Sequence, residues 1–225
     1  MNTRSCVDHL LKSMIATDRA EAAVLIERVI QEGMAPERVI TDVLGPTLVR
    51  VGVLWGKESV SLAQTFVAAK IAEDVLLRCM PEMGTCESHK SPVVIGNIED
   101  DFHSLGRRIV ATFLRASGWE VYDLGNDVTA EEFVDKAVEV QASVVGVSAM
   151  MQTTALNIRK VRALIDARSL QDRLKLVVGG AVFNWRPQLV SEVGGDGTAE
   201  NAAGADALLR RLQSEAKGEP SHERL

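Results

Sequence analysis

The chain has 225 residues, enough for one large domain or for two small domains that each bury a core. Its formal net charge of −6 excludes the general basic surface that binding to nucleic acid requires. Its three cysteines, Cys6, Cys79 and Cys86, are few and odd in number. They fit a reducing compartment better than a disulfide framework.

No stretch of the sequence indicates a membrane or secretory segment. The first residues lack the apolar core of a signal peptide, and no uncharged run approaches the length that spans a bilayer. We therefore expect a soluble cytoplasmic protein. Cys79, Cys86 and His89 match no compact zinc pattern, so we expect no metal site there.

Residues 1–80 have the pattern of helices joined by short connections. Either Thr17 or Asp18 is expected to cap the second helix, Gly33 to end it, and Gly45-Pro46 to kink or interrupt the third. Apolar residues recur at helical spacing in segments around 7–15, 22–30, 39–51 and 62–76. This pattern predicts a small antiparallel four-helix bundle, which by itself is consistent with a structural role or with a dimerisation unit.

The pattern changes after residue 80. Residues 81–92 are rich in Pro, Gly, Ser and charged residues, which indicates an interdomain linker. Residues 93–214 then alternate short apolar runs with amphipathic segments, and residues 215–225 read as a disordered tail. Repeated strand–helix units predict a parallel, doubly wound α/β sheet. The predicted strands cover 93–98, 119–123, 143–148 and 175–178, with a brief further strand near 194–196.

Three polar loops follow the predicted strands, at 101–106, 148–154 and 179–180. Ligands in such folds bind beyond the carboxyl ends of the strands, where these loops should converge. The first loop holds His103, with the Asp101 carboxylate two residues before it. An imidazole oriented by a carboxylate is suited to bind a transition metal. Taken alone, Asp-x-His is more often an ordinary, locally hydrogen-bonded pair.

The three loops together resemble the signature of cobalamin-binding domains. The matched elements are Asp101-x-His103-x-x-Gly106, then Ser148-x-Met150, then Gly179-Gly180, and residues 122–128 are similar to the segment after the second strand of that family. Residues 51–56 and 60–64 resemble the helical cap that precedes the cobalamin domain in methionine synthase and in small corrinoid proteins. The resemblance covers nearly the whole chain. It implies a four-helix bundle cap followed by a flavodoxin-like or Rossmann-like cobalamin-binding domain.

The resemblance also implies roles for individual residues. His103 would be the lower axial ligand of cobalt in place of the cofactor's own base, Asp101 would accept the other ring N–H, and Thr154 would complete this relay. Gly106, Ser148, Gly179 and Gly180 would accommodate the displaced nucleotide tail, with Met150 in place of the usual Leu. The remaining predicted contacts in these loops are Phe102, Ser104, Leu105 and Gln152.

The helical cap would cover the upper face of the cofactor. Trp55 and Leu62 are the residues that the resemblance places there, as an apolar lid over a reactive cobalt centre. For Trp55 the alternative is a place in the bundle core. The cofactor expected is methylcobalamin or hydroxocobalamin.

Three functions are consistent with this resemblance. We expect a non-autonomous methyl carrier that works with a substrate-specific methyltransferase and an acceptor methyltransferase, because the sequence has no barrel that would activate a substrate. A reductive activase as further partner and a homodimer remain open. The main alternative is a cobalamin-dependent sensor that lacks its own DNA-binding domain. The third is a small subunit of an adenosylcobalamin mutase, which the helical cap disfavours.

Overall fold

The computed structural model of the chain describes residues 2–82 and 90–216. The chain divides into two compact units, residues 1–84 and 85–225. Most of the predicted linker and tail lie outside the described residues, as do Cys86 and His89. Within the part of the chain that the structure describes, no helix is both long and apolar enough to cross a membrane.

The first unit is helical, as the apolar periodicity predicts. It comprises α1 (Thr3–Ile15), α2 (Arg19–Gln31), α3 (Pro36–Arg38), α4 (Gly45–Gly56) and α5 (Leu62–Cys79). Asp18 caps α2 by accepting from the Glu21 N–H, and Ser61 forms a capping box with Gln64 at the start of α5. The core of this unit consists mainly of apolar side chains. They include Leu10, Met14, Leu25, Ile26, Val43, Ile71 and Leu76.

Gly45-Pro46 does not interrupt the third helical segment, contrary to one of the two outcomes expected from the sequence. The residues just before it, Val39–Leu44, form a π-helix that runs directly into α4. The Gly45 N–H donates to the Ile40 carbonyl, five residues back. This wider turn absorbs the proline, whose missing N–H would leave a gap in a regular α-helix.

The second unit is a parallel four-stranded sheet with helices on both faces. Its strands are β1 (Lys90–Asn97), β2 (Trp119–Asp123), β3 (Val144–Ser148) and β4 (Lys175–Gly179), in the order β2-β1-β3-β4. Its helices are α6 (Ser104–Ala116), α7 (Ala130–Glu139), α8 (Gln152–Ala155), α9 (Ile158–Ala167), α10 (Ala181–Trp185), α11 (Leu189–Glu192) and α12 (Ala205–Ala216). This architecture confirms the predicted fold class.

The strands are buried by helices on both sides, which explains their continuous apolar sequence. Val94, Val145 and Leu176 belong to a core that includes residues of α7 and α9. Val93, Ile95 and Val144 face the other way and belong to a core that includes residues of α6 and α12. The chain winds in opposite directions from β1 and from β3, so the switch point of the sheet lies between these two neighbouring strands.

Several boundaries differ from the sequence prediction. β1 begins at Lys90, inside the predicted linker, because Lys90 pairs with Trp119 of β2. The amphipathic segment between β3 and β4 contains two helices, α8 and α9. The strand predicted near 194–196 is reduced to a single bridge between Gly197 and Val177, since the run of glycines has no side chains to pack. α10 was not predicted, and α12 extends to Ala216, beyond the predicted start of the tail.

Candidate cofactor site at the switch point of the sheet

The Asp101 carboxylate lies at the centre of the site. It is fully buried in the loop between β1 and α6 and accepts four hydrogen bonds. Oδ1 accepts from the Asn97 amide at 2.8 Å and from the His103 main-chain N–H at 3.0 Å. Oδ2 accepts from the Met150 main-chain N–H at 2.7 Å and from the Thr154 hydroxyl at 3.0 Å. The carboxylate therefore connects the loop after β1 to the loop after β3.

These donors determine the charge of Asp101. Burial by itself raises the pKa of its carboxyl, but hydrogen bonds from Met150, His103, Asn97 and Thr154 favour the ionised form more strongly, and the pKa lies below its usual value. The site therefore holds a buried negative charge at neutral pH.

The imidazole of His103 lies beside this charge. Its Nδ1 is 3.4 Å from Asp101 Oδ1, whereas the side chain as a whole is 54% exposed. His103 occupies the position just before α6 but does not cap the helix with its side chain. With Nδ1 turned to the carboxylate, Nε2 is the ring nitrogen left to bind a metal.

Main-chain hydrogen bonds hold the three predicted loops together. The Ile98 N–H donates to the Ser148 carbonyl at 3.1 Å, and the Ala149 N–H donates to the Gly179 carbonyl at 2.9 Å. The loops after β1, β3 and β4 are thus neighbours, as the parallel sheet predicts.

The glycines of these loops have two different environments. A Cβ added to Gly106 or to Gly179 would meet no atom within 4 Å, so the space beside both residues is open. Gly180 has a φ of +115°, and a Cβ there would lie 2.0 Å from the Ala149 carbonyl oxygen. Gly180 therefore serves the close packing of two loops, whereas Gly106 and Gly179 border free space.

The remaining predicted residues are placed as follows. Phe102 and Gln152 are exposed, and Ser104, Leu105 and Ser148 are half-buried. Trp55 is 44% exposed on α4 of the first unit, which argues against a place in the bundle core. Leu62 is the first residue of α5. The structure thus brings Asp101, His103, Met150 and Thr154 together, and the roles of Trp55 and Leu62 remain predictions.

Two side chains of this network were not predicted as site residues. Asn97, at the end of β1, donates to Asp101, and Arg107 on α6 donates to Asn97. A polar residue at the end of the apolar run Val93–Gly96 was a signal for Asn97. There was no signal for Arg107, because a sequence does not tell a buried arginine from an exposed one.

The acidic segment before His103 has a structural explanation. Asp100 adopts a φ of +65°, in the left-handed region. The Asp100 N–H donates to the Asp127 carboxylate at 2.9 Å, and Glu99 pairs with Lys160 at 2.6 Å. Aspartate tolerates this left-handed conformation better than most residues.

The donor set indicates what kind of metal group would fit. Within residues 2–82 and 90–216, no three His, Cys, Asp or Glu side chains lie close enough to hold a metal ion. His103 offers one imidazole nitrogen, which suits a metal whose remaining ligands belong to its own group. A Cβ at Gly106 or at Gly179 would meet no atom within 4 Å, so neither residue blocks an appendage beside α6 and β4. These residues fit a cobalamin.

The fold and this site define a class of protein: an α/β domain that binds a metal-centred macrocycle at its switch point, together with a helical bundle. Residues 91–206 match the B12 binding domain family, and residues 7–80 match a second family with the same description. The chain belongs to the B12 binding domain family, and the prediction of a cobalamin cofactor is confirmed.

Similar proteins agree with this assignment. Dimethylamine corrinoid protein 2 of Methanosarcina mazei is 34% identical over 92% of this chain and 96% of its own length. Dimethylamine corrinoid protein 1 of Methanosarcina acetivorans is 32% identical over 94% of this chain and 99% of its own length. The structure of the monomethylamine corrinoid protein of Methanosarcina barkeri superposes with a TM-score of 0.84 at 26% identity, covering 94% of this chain and all of that one. The predicted resemblance to corrinoid proteins is confirmed.

Proposed function

We propose that this protein is a methyl carrier that holds cobalamin in the base-off, His-on form, with His103 as the lower axial ligand. The observation that carries the proposal is the 3.4 Å approach of His103 Nδ1 to the buried carboxylate of Asp101, on a side chain that is otherwise largely exposed. Membership of the B12 binding domain family supports the cofactor, and similarity to methylamine corrinoid proteins supports the carrier role.

Bound cobalamin supplies the cobalt centre that accepts a methyl group and gives it up again. The chain's own residues orient and tune that centre. Asp101 faces Nδ1 of His103 and so would leave Nε2 as the nitrogen that holds the cobalt. Thr154 offers its hydroxyl proton to Asp101 or to the Met151 carbonyl, both at 3.0 Å, and can donate to only one at a time. The number of hydrogen bonds that the Asp101 carboxylate accepts beside His103 would therefore differ between these two arrangements.

The remaining predicted residues have supporting roles in the proposal. Gly106 and Gly179 leave space for the nucleotide tail, and Ser148 lies at the end of β3 between them. Phe102 and Met150 are exposed apolar side chains that would contact the lower face of the corrin. Trp55 and Leu62 of the bundle would shield the opposite face from water and oxidants.

A carrier needs partners at both ends of the reaction. We propose that one methyltransferase loads the cofactor from a methyl donor and that a second unloads it to an acceptor, in the cytoplasm. The relatives named dimethylamine and monomethylamine corrinoid proteins make a methylated amine the first donor to test. A reductive activase and a homodimer belong to the same proposal.

Reconstitution tests the proposal against its alternatives. The purified chain is incubated with methylcobalamin, hydroxocobalamin or adenosylcobalamin, desalted, and examined by absorption spectroscopy and size-exclusion chromatography before and after illumination. We expect retention of the methyl or hydroxo form with an axial imidazole, and a His103→Ala variant whose bound corrinoid is base-off without that ligand. Retention of adenosylcobalamin alone, with a light-dependent change of oligomeric state, would support the sensor instead.

A further inference from the structure

Arg107 is a buried cation one helical turn beyond the proposed ligand. Its side chain lies on α6 and is only 7% exposed. Nε donates to the Asn97 side-chain oxygen at 2.8 Å, one terminal nitrogen pairs with the Asp123 carboxylate, and the other donates to the Asn126 side-chain oxygen at 3.2 Å. The rigid guanidinium thus connects the end of β1 to the loop after β2.

Asn97 connects Arg107 to Asp101 and His103. Its side-chain nitrogen donates to Asp101 Oδ1 at 2.8 Å and to the main-chain carbonyl of His103 at 3.2 Å. The two ends of the amide therefore face different partners, oxygen towards Arg107 and nitrogen towards the ligand loop. Asn97 is fully buried, so no water competes for either end.

Arg107 determines which end of the amide faces the site. A side-chain amide rotated by half a turn would present its oxygen to the Asp101 carboxylate and its nitrogen to a guanidinium, two repulsive contacts. With a donor-only guanidinium on one side and a carboxylate on the other, a single orientation is stable. In that orientation Asn97 restrains both Asp101 Oδ1 and the backbone of His103.

An arginine that only joined α6 to β2 would not need a contact with Asn97. Arg115, two turns further along α6, donates to the Val121 carbonyl of β2 at 3.2 Å and so joins the same helix to the same strand. No hydrogen bond found among the described residues connects Arg115 to the His103 loop. Arg107 differs from Arg115 in its pairing with Asp123 and Asn126 and, towards the site, in its contact with Asn97.

We propose that Arg107 is a positioning residue for the lower axial ligand, acting through Asn97 on Asp101 and on the main chain of His103. The proposal rests on the proposed function, in which His103 binds cobalt. It adds an outer part to the ligand relay, Arg107–Asn97–Asp101–His103, and anchors that relay on Asp123 at the end of β2 and on Asn126 in the loop after it.

The test is the proportion of His-on cofactor in an Arg107→Met variant, which keeps the length of the side chain but removes its donors. The full-length protein is reconstituted with hydroxocobalamin, and the ratio of His-on to His-off corrinoid is measured by absorption spectroscopy of the bound fraction. Loss of outer partners of metal-binding histidines typically weakens metal binding 10–100-fold, so we expect the ratio to fall by about tenfold. The matched control, Arg115→Met, should leave the ratio unchanged.

Two further variants test whether Arg107 acts through Asn97 and is held in place by Asp123. Adding Arg107→Met to Asn97→Ser should lower the ratio little further than Asn97→Ser alone, because Arg107 acts on the site through Asn97. Asp123→Asn, at a side chain that is 21% exposed, should loosen the anchor of Arg107 and lower the ratio by a smaller factor. If Arg107→Met does not fold, the Asp123→Asn variant tests the positioning role of Arg107 in its place.

The outcomes separate this inference from the proposed function. If His103→Ala changes the spectrum of the bound corrinoid but Arg107→Met and Asp123→Asn do not, His103 is the ligand and the positioning role is refuted. If His103→Ala leaves the spectrum unchanged, the proposed function itself fails, and the inference fails with it.

Discussion

The main-chain N–H of Met150 donates to Asp101 Oδ2 at 2.7 Å and so joins the loop after β3 to the loop after β1. These two loops flank the switch point of the sheet, where the chain winds away in opposite directions. A carboxylate that accepts a main-chain donor from the opposite loop cannot rotate without breaking that contact. The site is therefore organised by the fold itself.

Asp101→Asn should disrupt this arrangement. The carboxylate accepts from four donors, whereas an amide of the same shape offers one oxygen and turns an NH₂ group towards donors. Unpaired buried polar groups are costly, so we expect the free energy of unfolding of the α/β unit to fall by about 3 kcal/mol. Urea denaturation of the full-length protein measures this difference. Asp127→Asn, at an exposed side chain that accepts one N–H, is the matched control, and an equal loss in both variants would refute the central role of Asp101.

Thr154 allows a finer test of the relay. Its buried hydroxyl lies 3.0 Å from Asp101 Oδ2. Thr154→Ser keeps the donor, whereas Thr154→Val keeps the shape and removes it. We expect Thr154→Val to weaken His-on coordination and to destabilise the fold by about 1 kcal/mol, and Thr154→Ser to retain most of the coordination. Titration of both variants with hydroxocobalamin measures the difference. Equal coordination in the two would exclude a role for the hydroxyl.

Gly179 and Gly180 are neighbours for which opposite outcomes are expected. Gly179→Ala places a methyl group in open space, so the fold should be unaffected while cobalamin affinity falls, because the methyl group takes room needed by the nucleotide tail. Gly180→Ala forces a Cβ against the Ala149 carbonyl at a positive φ and should destabilise the fold by several kcal/mol, of the order known for overpacked sites.

Thermal denaturation and cobalamin titration of the two variants check this contrast. Cobinamide, which lacks the nucleotide tail, provides the control ligand: its affinity should not differ between the parent protein and Gly179→Ala. If both corrinoids bind Gly179→Ala as well as the parent, the tail does not pass this residue.

The pH dependence of stability should report Asp206 on α12. Its carboxylate accepts from Lys90 at 2.6 Å, Trp119 at 2.7 Å and Arg210 at 3.0 Å. Burial raises the pKa of this carboxyl, but these donors more than offset burial and lower the pKa from 3.8 to about 2. Since the pKa is lower in the folded state, the stabilisation is complete above about pH 4 and disappears as the pH falls through 2.

Asp206→Asn should therefore lower the free energy of unfolding by about 2 kcal/mol at pH 7 and by progressively less between pH 4 and pH 2. Urea denaturation at a series of pH values measures this. Asp135→Asn, at an exposed carboxylate paired with Arg168, should change stability little at any of them. A cost for Asp206→Asn that does not decrease in acid would contradict the assignment of the low pKa.

The parts of the fold that could be predicted are those encoded locally. Apolar periodicity placed α1, α2 and α5, and β2 was predicted with its observed bounds, Trp119–Asp123. The cap of α2 was narrowed to Thr17 or Asp18, and the structure selects Asp18. The π-helical segment before Pro46 could not be predicted. It depends on hydrogen bonds between residues five positions apart that accommodate the missing N–H of the proline, and no sequence pattern shows them.

In the candidate site, too, the locally encoded part could be predicted and the part that depends on distant contacts could not. The loop residues Asp101, His103 and Thr154 form a recognisable pattern, and the structure brings them together. The contact of Arg107 with Asn97 depends on the orientation of α6 against β1, which no local pattern encodes. The extended start of β1 likewise depends on a distant partner, since Lys90 is fixed by Trp119 and Asp206.

The most direct test of the account is to identify the atom that binds cobalt from below. The protein is produced with ¹⁵N-labelled histidine, reconstituted with unlabelled cobalamin, reduced to the cobalt(II) state and examined by electron paramagnetic resonance. We predict that each cobalt line splits into a doublet, the signature of one axial ¹⁵N nucleus, and that the doublet is absent in His103→Ala. A triplet in the labelled protein would show that the cofactor's own base is the ligand, and would contradict the account.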